Sequence, residues 1–167
     1  MARSYRKFRS RMGLWLGAMC LPLALAGCGG LDDSDPARVR IGSAVWDVDL
    51  ATNDVQRHRG LAGRAYLDES VGMLFMYPKA APRAYCMRGC LIPLDIAFIG
   101  SDLRIVKIYT MAAERDRMGR MSYSSHRPAQ YVLEVSAGGF RRNGVVEGAK
   151  VEFLGNIPPA TKADAGP

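Results

Sequence analysis

The segment Tyr85-Cys86-Met87-Arg88-Gly89-Cys90 places two cysteines four positions apart around a methionine, and here residue type and spacing first offer chemistry. Three outcomes are open: a disulfide, uncoupled thiols, or soft-donor coordination of a metal. An extended chain would hold the two Cα atoms about 13 Å apart, against the roughly 4.4–6.8 Å that a disulfide needs. The backbone must therefore turn, and Gly89 permits it. So small a ring would contribute about 2 kcal/mol on chain-entropy grounds, making it a local staple. Redox catalysis is disfavoured, because the spacing is not the C-x-x-C that accompanies a lowered thiol pKa. For the metal reading, Met118, Met121 and His126 in "MGRMSYSSH" join Cys86, Met87 and Cys90 as thioether, imidazole and thiolate donors suited to cuprous copper. Against it, methionines of β proteins mostly fill core gaps, and a single M-x-x-M is a weak signal.

Asp95 is the second candidate. Within "LIPLDIAFIG" the residues Leu94, Ile96 and Phe98 face one side of a strand and Asp95 the other, so its carboxylate needs partners. Backbone N–H groups of the preceding turn, or Arg59 or Arg64, would supply them. The competing roles are a ligand contact on the sheet face and an acid–base function. His58 is expected as a packed core histidine. There is no G-x-S-x-G, H-E-x-x-H or glycine-rich phosphate loop, and only two histidines could serve as bases, so an enzyme finds little support. Arg115, Arg117, Arg120 and Arg127 with Tyr123 make one long loop basic. That loop is read as a solvated lip partly neutralised by Glu114 and Asp116, with acidic headgroups or glycans as the alternative ligands.

Compartment decides what the thiols do. "MARSYRKFRSR" carries five basic residues and no acid, and the apolar run after it ends in Leu25-Ala26-Gly27-Cys28. This is the form of an export signal, and the last four residues resemble the bacterial lipobox, with Cys28 as the acylated first residue of the mature protein. An A-x-A cleavage at Ala24-Leu25-Ala26 and an uncleaved anchor are the alternatives. Cleavage before Cys28 leaves 140 of the 167 residues and reduces the formal charge from +7 to +2, so the basicity belongs mostly to the signal and nucleic acid is not an expected partner. Gly29, which follows the anchor in place of an aspartate, resembles the default sorting to the periplasmic face of the outer membrane, with the inner membrane as the second possibility.

The elements that must position these residues are short. Apolar runs bounded by Gly, Pro and Asp predict strands over Val39–Ile41, Val45–Leu50, Met73–Tyr77, Tyr85–Met87, Leu94–Ile99, Arg104–Tyr109, Tyr131–Val135 and Val151–Phe153. Gly100-Ser101-Asp102 predicts a hairpin. A helix starting at Thr52-Asn53-Asp54 would put Val55, His58 and Leu61 on one face, and "AGGFRRNG" would form a turn or two of helix stopped by Asn143-Gly144. Residues 112–129 show no strand pattern and are read as a loop. The expected organisation is a signal over 1–27, a tether over 28–38, one domain over 39–155 and a disordered tail over 156–167. The fold class is all-β: a compact antiparallel β-sandwich or barrel of about eight short strands with one or two short helices.

In order, "RGLAGR", "VGMLFMYP", "LIPLDIAFIG", "RIVKIYTM", "YVLEVSAG" and "RRNGVVEG" resemble the bacterial and archaeal family called domain of unknown function 192, from about Val45 to Phe153. The resemblance implies a compact all-β sandwich or barrel. Its signature positions are Arg59, Gly60, Leu61, Arg64, Gly72, Met73, Met87, Pro93, Asp95, Glu134, Asn143 and Gly144. No general activity comes with it. The family's aromatic-Trp-Met-Lys-Asn-Thr segment stands here as Tyr85 to Cys90, so both cysteines are departures.

The expectation is a non-enzymatic, membrane-tethered binding or accessory domain. It is held to the bilayer by its acyl anchor, takes a small molecule, glycan or protein, and needs no cofactor. Its site would lie near Met87, Asp95, Arg59, Arg64 and the long loop. A copper binder is the main rival, and an enzyme using Asp95 the third.

Overall fold

The computed structural model describes residues 35–114 and 116–160; the segment read as an export signal, Cys28, Arg115 and the chain beyond 160 lie outside the described residues. The elements in chain order are β1 (Arg38–Ile41), β2 (Ala44–Ala51), α1 (Asp54–Arg59), β3 (Val71–Ala81), β4 (Ala84–Tyr85), β5 (Leu94–Ile99), β6 (Ile105–Met111), β7 (Tyr123–Ser124), β8 (Ala129–Ser136), α2 (Gly139–Arg142) and β9 (Val151–Leu154). Seven strands make one sheet in the order β6-β5-β8-β3-β2-β1-β9, while β4 and β7 form a separate ribbon.

The large sheet curls until its two edges meet at one end. Gly148 N donates to Ile105 O (2.8 Å), Val151 N to Leu103 O (2.8 Å), and Arg104 bridges Lys150. The product is a half-barrel, and it bears out the all-β expectation. One pairing departs from the antiparallel reading: β2 and β3 run parallel, in register from Asp47↔Val71 to Ala51↔Phe75. The connection over residues 52–70 is long enough to carry the chain back to the end where it began, as a parallel pair demands. Seven of the eight expected strands are present, and the eighth, expected over Tyr85–Met87, meets β4 only at Tyr85 because the chain turns from Met87 to Cys90. The ninth, β7, lies inside the segment read as loop and pairs Tyr123 with Tyr85.

Two cores flank the central strands. Leu74 and Met76 of β3, Leu133 and Val135 of β8, and Ala97 and Ile99 of β5 face the barrel interior with Trp46, Phe140 and Val151. The alternate residues, Met73, Phe75, Val132, Leu94, Ile96 and Phe98, face outward yet are buried, because Leu61, Leu67, Met87 and Cys90 from the connecting segments cover them. The period-two alternation thus sends two apolar sets to two cores, and every residue of β5 is buried. A line of edge-to-face rings, Phe75, Tyr85, Phe98, Tyr109 and Tyr123, runs across the outer core at centroid spacings of 5.2, 5.7, 6.3 and 5.5 Å.

The helices are short and capped. α1 starts on a capping box in which Asn53 accepts from Gln56 N and the Gln56 side chain answers the cap backbone. Its expected apolar face is not the buried one: Val55 is 79% exposed, and His58 is exposed rather than packed in the core. With only six residues, α1 lies on the rim and turns Arg57 inward instead. α2 follows the expectation, with Gly144 at φ +65° after Asn143. Order also reaches past the expected boundary at 155. Asn156 N donates to Asp35 O, Ile157 packs against the inner core and Ala160 is buried in it, while Asn156 and Pro159 are exposed.

Candidate functional site

Glu134 and Asp95 lie on adjacent strands facing opposite cores. On β5, Asp95 shares the inward side with Ala97 and Ile99. It is 1% exposed and fully engaged: Thr110 Oγ1 donates to Oδ1 (2.6 Å) and Phe140 N to Oδ2 (3.0 Å). The carboxylate therefore holds the first turn of α2 onto the sheet. The expected backbone hydrogen bond is present, but it comes from 45 residues downstream rather than from the preceding turn. The arginines named as partners are elsewhere; Arg64 pairs with Asp49, and Arg59 stands at the outer rim.

On β8, Glu134 alternates the other way and faces the outer core, directly opposite Met73 of β3 and Ile96 of β5. It is 5% exposed, and among the described residues no side chain or backbone group hydrogen-bonds to its carboxyl. Burial alone pushes this carboxyl up to about 8, so it is predominantly protonated at neutral pH.

Above Glu134 opens a cleft of about 610 Å³, the size of a metabolite pocket. One wall is α1 with Gly60-Leu61-Ala62, the other is the segment from Ala84 to Cys90, and Phe75 and Tyr77 of β3 complete the floor with Glu134. The Tyr77 and Tyr85 hydroxyls share a hydrogen bond (2.8 Å), and burial holds the Tyr85 phenol well above its ordinary range. Arg57, whose side chain is only 7% exposed, donates to Thr52 O (2.9 Å) and Met76 O (2.7 Å), pairs with Asp54 (2.7 Å) and lies over the Tyr77 ring. Its role is to fix the α1 wall. Arg59 and Arg88, one from each wall, are exposed at the mouth, and neither side chain has a partner among the described residues.

The cysteines belong to this cleft. The chain turns between them as expected, with Cys90 N donating to Met87 O (3.1 Å) and Gly89 at φ +70°. Both are free thiols, so the expected disulfide is not formed in this structure. Burial first, then the Glu134 and Cys86 charges, push the Cys90 thiol up to about 11. The long loop presses on the same turn: a Cβ at Gly119 would lie 2.9 Å from Cys86 Sγ. Its methionines do not follow. Met118 and Met121 are 59% and 58% exposed, His126 is exposed, and Met87 is wholly buried in the outer core. Among the described residues no three His, Cys, Asp or Glu side chains are grouped to hold a metal ion. The basic loop is organised instead around Glu114, whose carboxylate accepts from Arg120 N and Met121 N (2.9 Å each), while Arg120 pairs with Asp116.

Of the expected ligand contacts, then, Arg59 lines the cleft, Met87 lies beneath it, and Arg64 and Asp95 face elsewhere. Asp95 borders a smaller depression of about 270 Å³ on the α2 side. Glu134, Arg57 and Arg88 were not read as site residues. The signal for Glu134 was the one that drew attention to Asp95, an acid flanked by apolar residues in a buried strand.

The comparisons agree with this architecture. A solved structure from Sinorhizobium meliloti 1021, described as "a putative transcription regulator", is similar to this chain with 32% identity and a TM-score of 0.64, over 71% of this chain and 92% of that one. A protein of unknown function from Novosphingobium aromaticivorans is similar with 31% identity and a TM-score of 0.63, over 70% of this chain and 83% of that one. No curated protein matches. Residues 37–153 match the family model DUF192, described as "Uncharacterized ACR", and with most of the chain and all nine strands but the last residue of β9 inside that span, the chain belongs to the domain of unknown function 192 family.

Proposed function

We propose that this chain is a lipid-anchored, extracytoplasmic, non-enzymatic binding domain, and that the cleft over Glu134 takes up a small molecule. The observation that carries the reading is the Glu134 carboxyl: nearly buried, without a hydrogen-bond partner among the described residues, and lining the cleft. A polar group left unpaired in an apolar setting costs about 1–3 kcal/mol, and a ligand that pairs with it recovers that cost on binding. In the reduced protein burial holds the Cys90 thiol protonated, which favours binding over covalent chemistry. The anchor at Cys28 rests on the sequence, and in the oxidising space beyond the inner membrane Cys86 and Cys90 would close across the Gly89 turn into the local staple described above.

Amide NMR of the exported chain against a set of small neutral and charged fragments tests the site. Shifts confined to Gly60, Ala62, Gly89 and Glu134 are expected. A set of fragments that leaves these amides unmoved removes the cleft as a binding site. For the anchor, mass spectrometry should find Cys28 acylated; an unacylated chain in the cytosol contradicts it.

A further inference from the structure

The chemistry of the cleft narrows its ligand, on the premise that the cleft is the binding site. We propose that it takes a small organic anion whose charged group is held at the mouth by Arg59 and Arg88, while a neutral oxygen of the same molecule accepts a hydrogen bond from the Glu134 carboxyl at the floor. Arg59 and Arg88, without side-chain partners among the described residues, line the cleft from different walls, and the remaining lining charges, Arg57 and Asp54, pair at 2.7 Å. The mouth is therefore cationic. An anion is drawn to it and a cation repelled, with fork-shaped donors that match a carboxylate or a phosphate. Deeper in, the walls are Leu61, Phe75 and Tyr85, which suit an apolar body.

The floor decides the rest. A protonated Glu134 offers one O–H donor, whereas an ionised one offers only acceptors and repels the same anion. The groups facing it are Tyr85, Cys86, Arg88 and Cys90 from the 84–90 segment, Tyr77 from β3, and Asp54, Arg57, His58 and Arg59 from α1; β5 presents Ile96. Tyr85 is held protonated well beyond pH 9, and Cys90 carries no charge there either as the buried thiol or as half of the proposed disulfide, so Glu134 is the floor group whose charge changes as the pH passes about 8. Binding should take up a proton as the pH passes about 8, and affinity should then fall tenfold per pH unit.

Fluorescence titration with dansylglycine, its neutral amide and the cationic dansylcadaverine tests this on the exported chain. At pH 7 dansylglycine should bind at least tenfold more tightly than the amide, with the cation weakest, and its affinity should drop at least tenfold by pH 9.5. Glu134→Gln keeps a neutral donor and should abolish the drop, which a cause elsewhere in the cleft would leave in place. Arg59→Gln with Arg88→Gln, both on exposed side chains, should erase the anion preference even if the Glu134 variant folds poorly. Equal binding of acid and amide, preference for the cation, or unchanged affinity between pH 7 and 9.5 overturns the inference. Should fragments still shift the cleft amides, only the anion assignment falls; if neither fragments nor probes bind, the site falls with it.

Discussion

Replacing Glu134 by glutamine should stabilise the protein, and the gain should depend on pH in a defined direction. In the unfolded chain the carboxyl ionises near its ordinary value of 4.5, while in the fold burial defers ionisation to about 8. Between those values the unfolded state releases a proton that the folded state keeps. Stability from this group is therefore fully present below pH 4.5, falls as pH rises, and levels off above about 8. A shift of about 3.5 units at 1.36 kcal/mol per unit gives an upper figure of about 5 kcal/mol, and water reaching the carboxyl through the cleft reduces it to about 3 kcal/mol. Glutamine has no such ionisation, so relative to the wild type the variant should gain about 3–5 kcal/mol between pH 4 and pH 9, on the order of 10 °C in melting temperature. Burial, the largest cause of their shifts, keeps folded Cys90 and Tyr85 protonated across this range in both proteins, so they contribute little to the difference. Urea unfolding of both chains from pH 4 to 9 provides the measurement. A wild-type-to-variant difference constant within about 0.5 kcal/mol across that range would refute the reasoning, and a difference of opposite slope would show that Glu134 is ionised and paired.

Asp95→Asn should destabilise by about 1.5–3 kcal/mol at neutral pH in chemical denaturation, since the charge-assisted bonds from Thr110 and Phe140 N are weakened while the shape is kept; a variant with unchanged stability that loses ligand binding would return Asp95 to the site. Gly72→Ala should cost more than about 2 kcal/mol, because a Cβ there would lie 2.7 Å from the Glu134 carbonyl oxygen and push β8 from β3, and a neutral effect would contradict that packing. In the reduced protein, iodoacetamide should modify Cys86 well ahead of Cys90, whose shift from 9.0 to about 11 leaves about a hundredfold less thiolate than an ordinary cysteine; preferential labelling of Cys90 would contradict the burial argument.

The strand pattern was legible because apolar runs and turn residues are local signals. "YVLEV" and "LDIAFI" gave their strands directly, and Gly100-Ser101-Asp102 gave the hairpin between β5 and β6. The parallel β2–β3 pair was not, since strand direction is set by where a long connection returns the chain. Nor was β7, in which Tyr123-Ser124 carries no apolar run and exists by pairing with Ala84-Tyr85 about forty residues away. α1 misled for a related reason: Val55 and His58 have helical spacing, but a six-residue helix on a rim needs no apolar face when one arginine can bond inward to two carbonyls. The site was half legible. Asp95 and Glu134 carry the same sequence signal, and what separates them is the helix that reaches the inner face and supplies a donor, against the open cleft that leaves the outer face unpartnered. No spacing along the chain distinguishes the two.

Carbon-13 NMR titration of the Glu134 side-chain carboxyl in the folded protein tests the central claim most directly. A midpoint near 8, moving upward when an anionic ligand is added, is the predicted result. A midpoint near the ordinary 4.5 would mean that the floor of the cleft is charged at neutral pH, and the proposed mode of binding would not survive it.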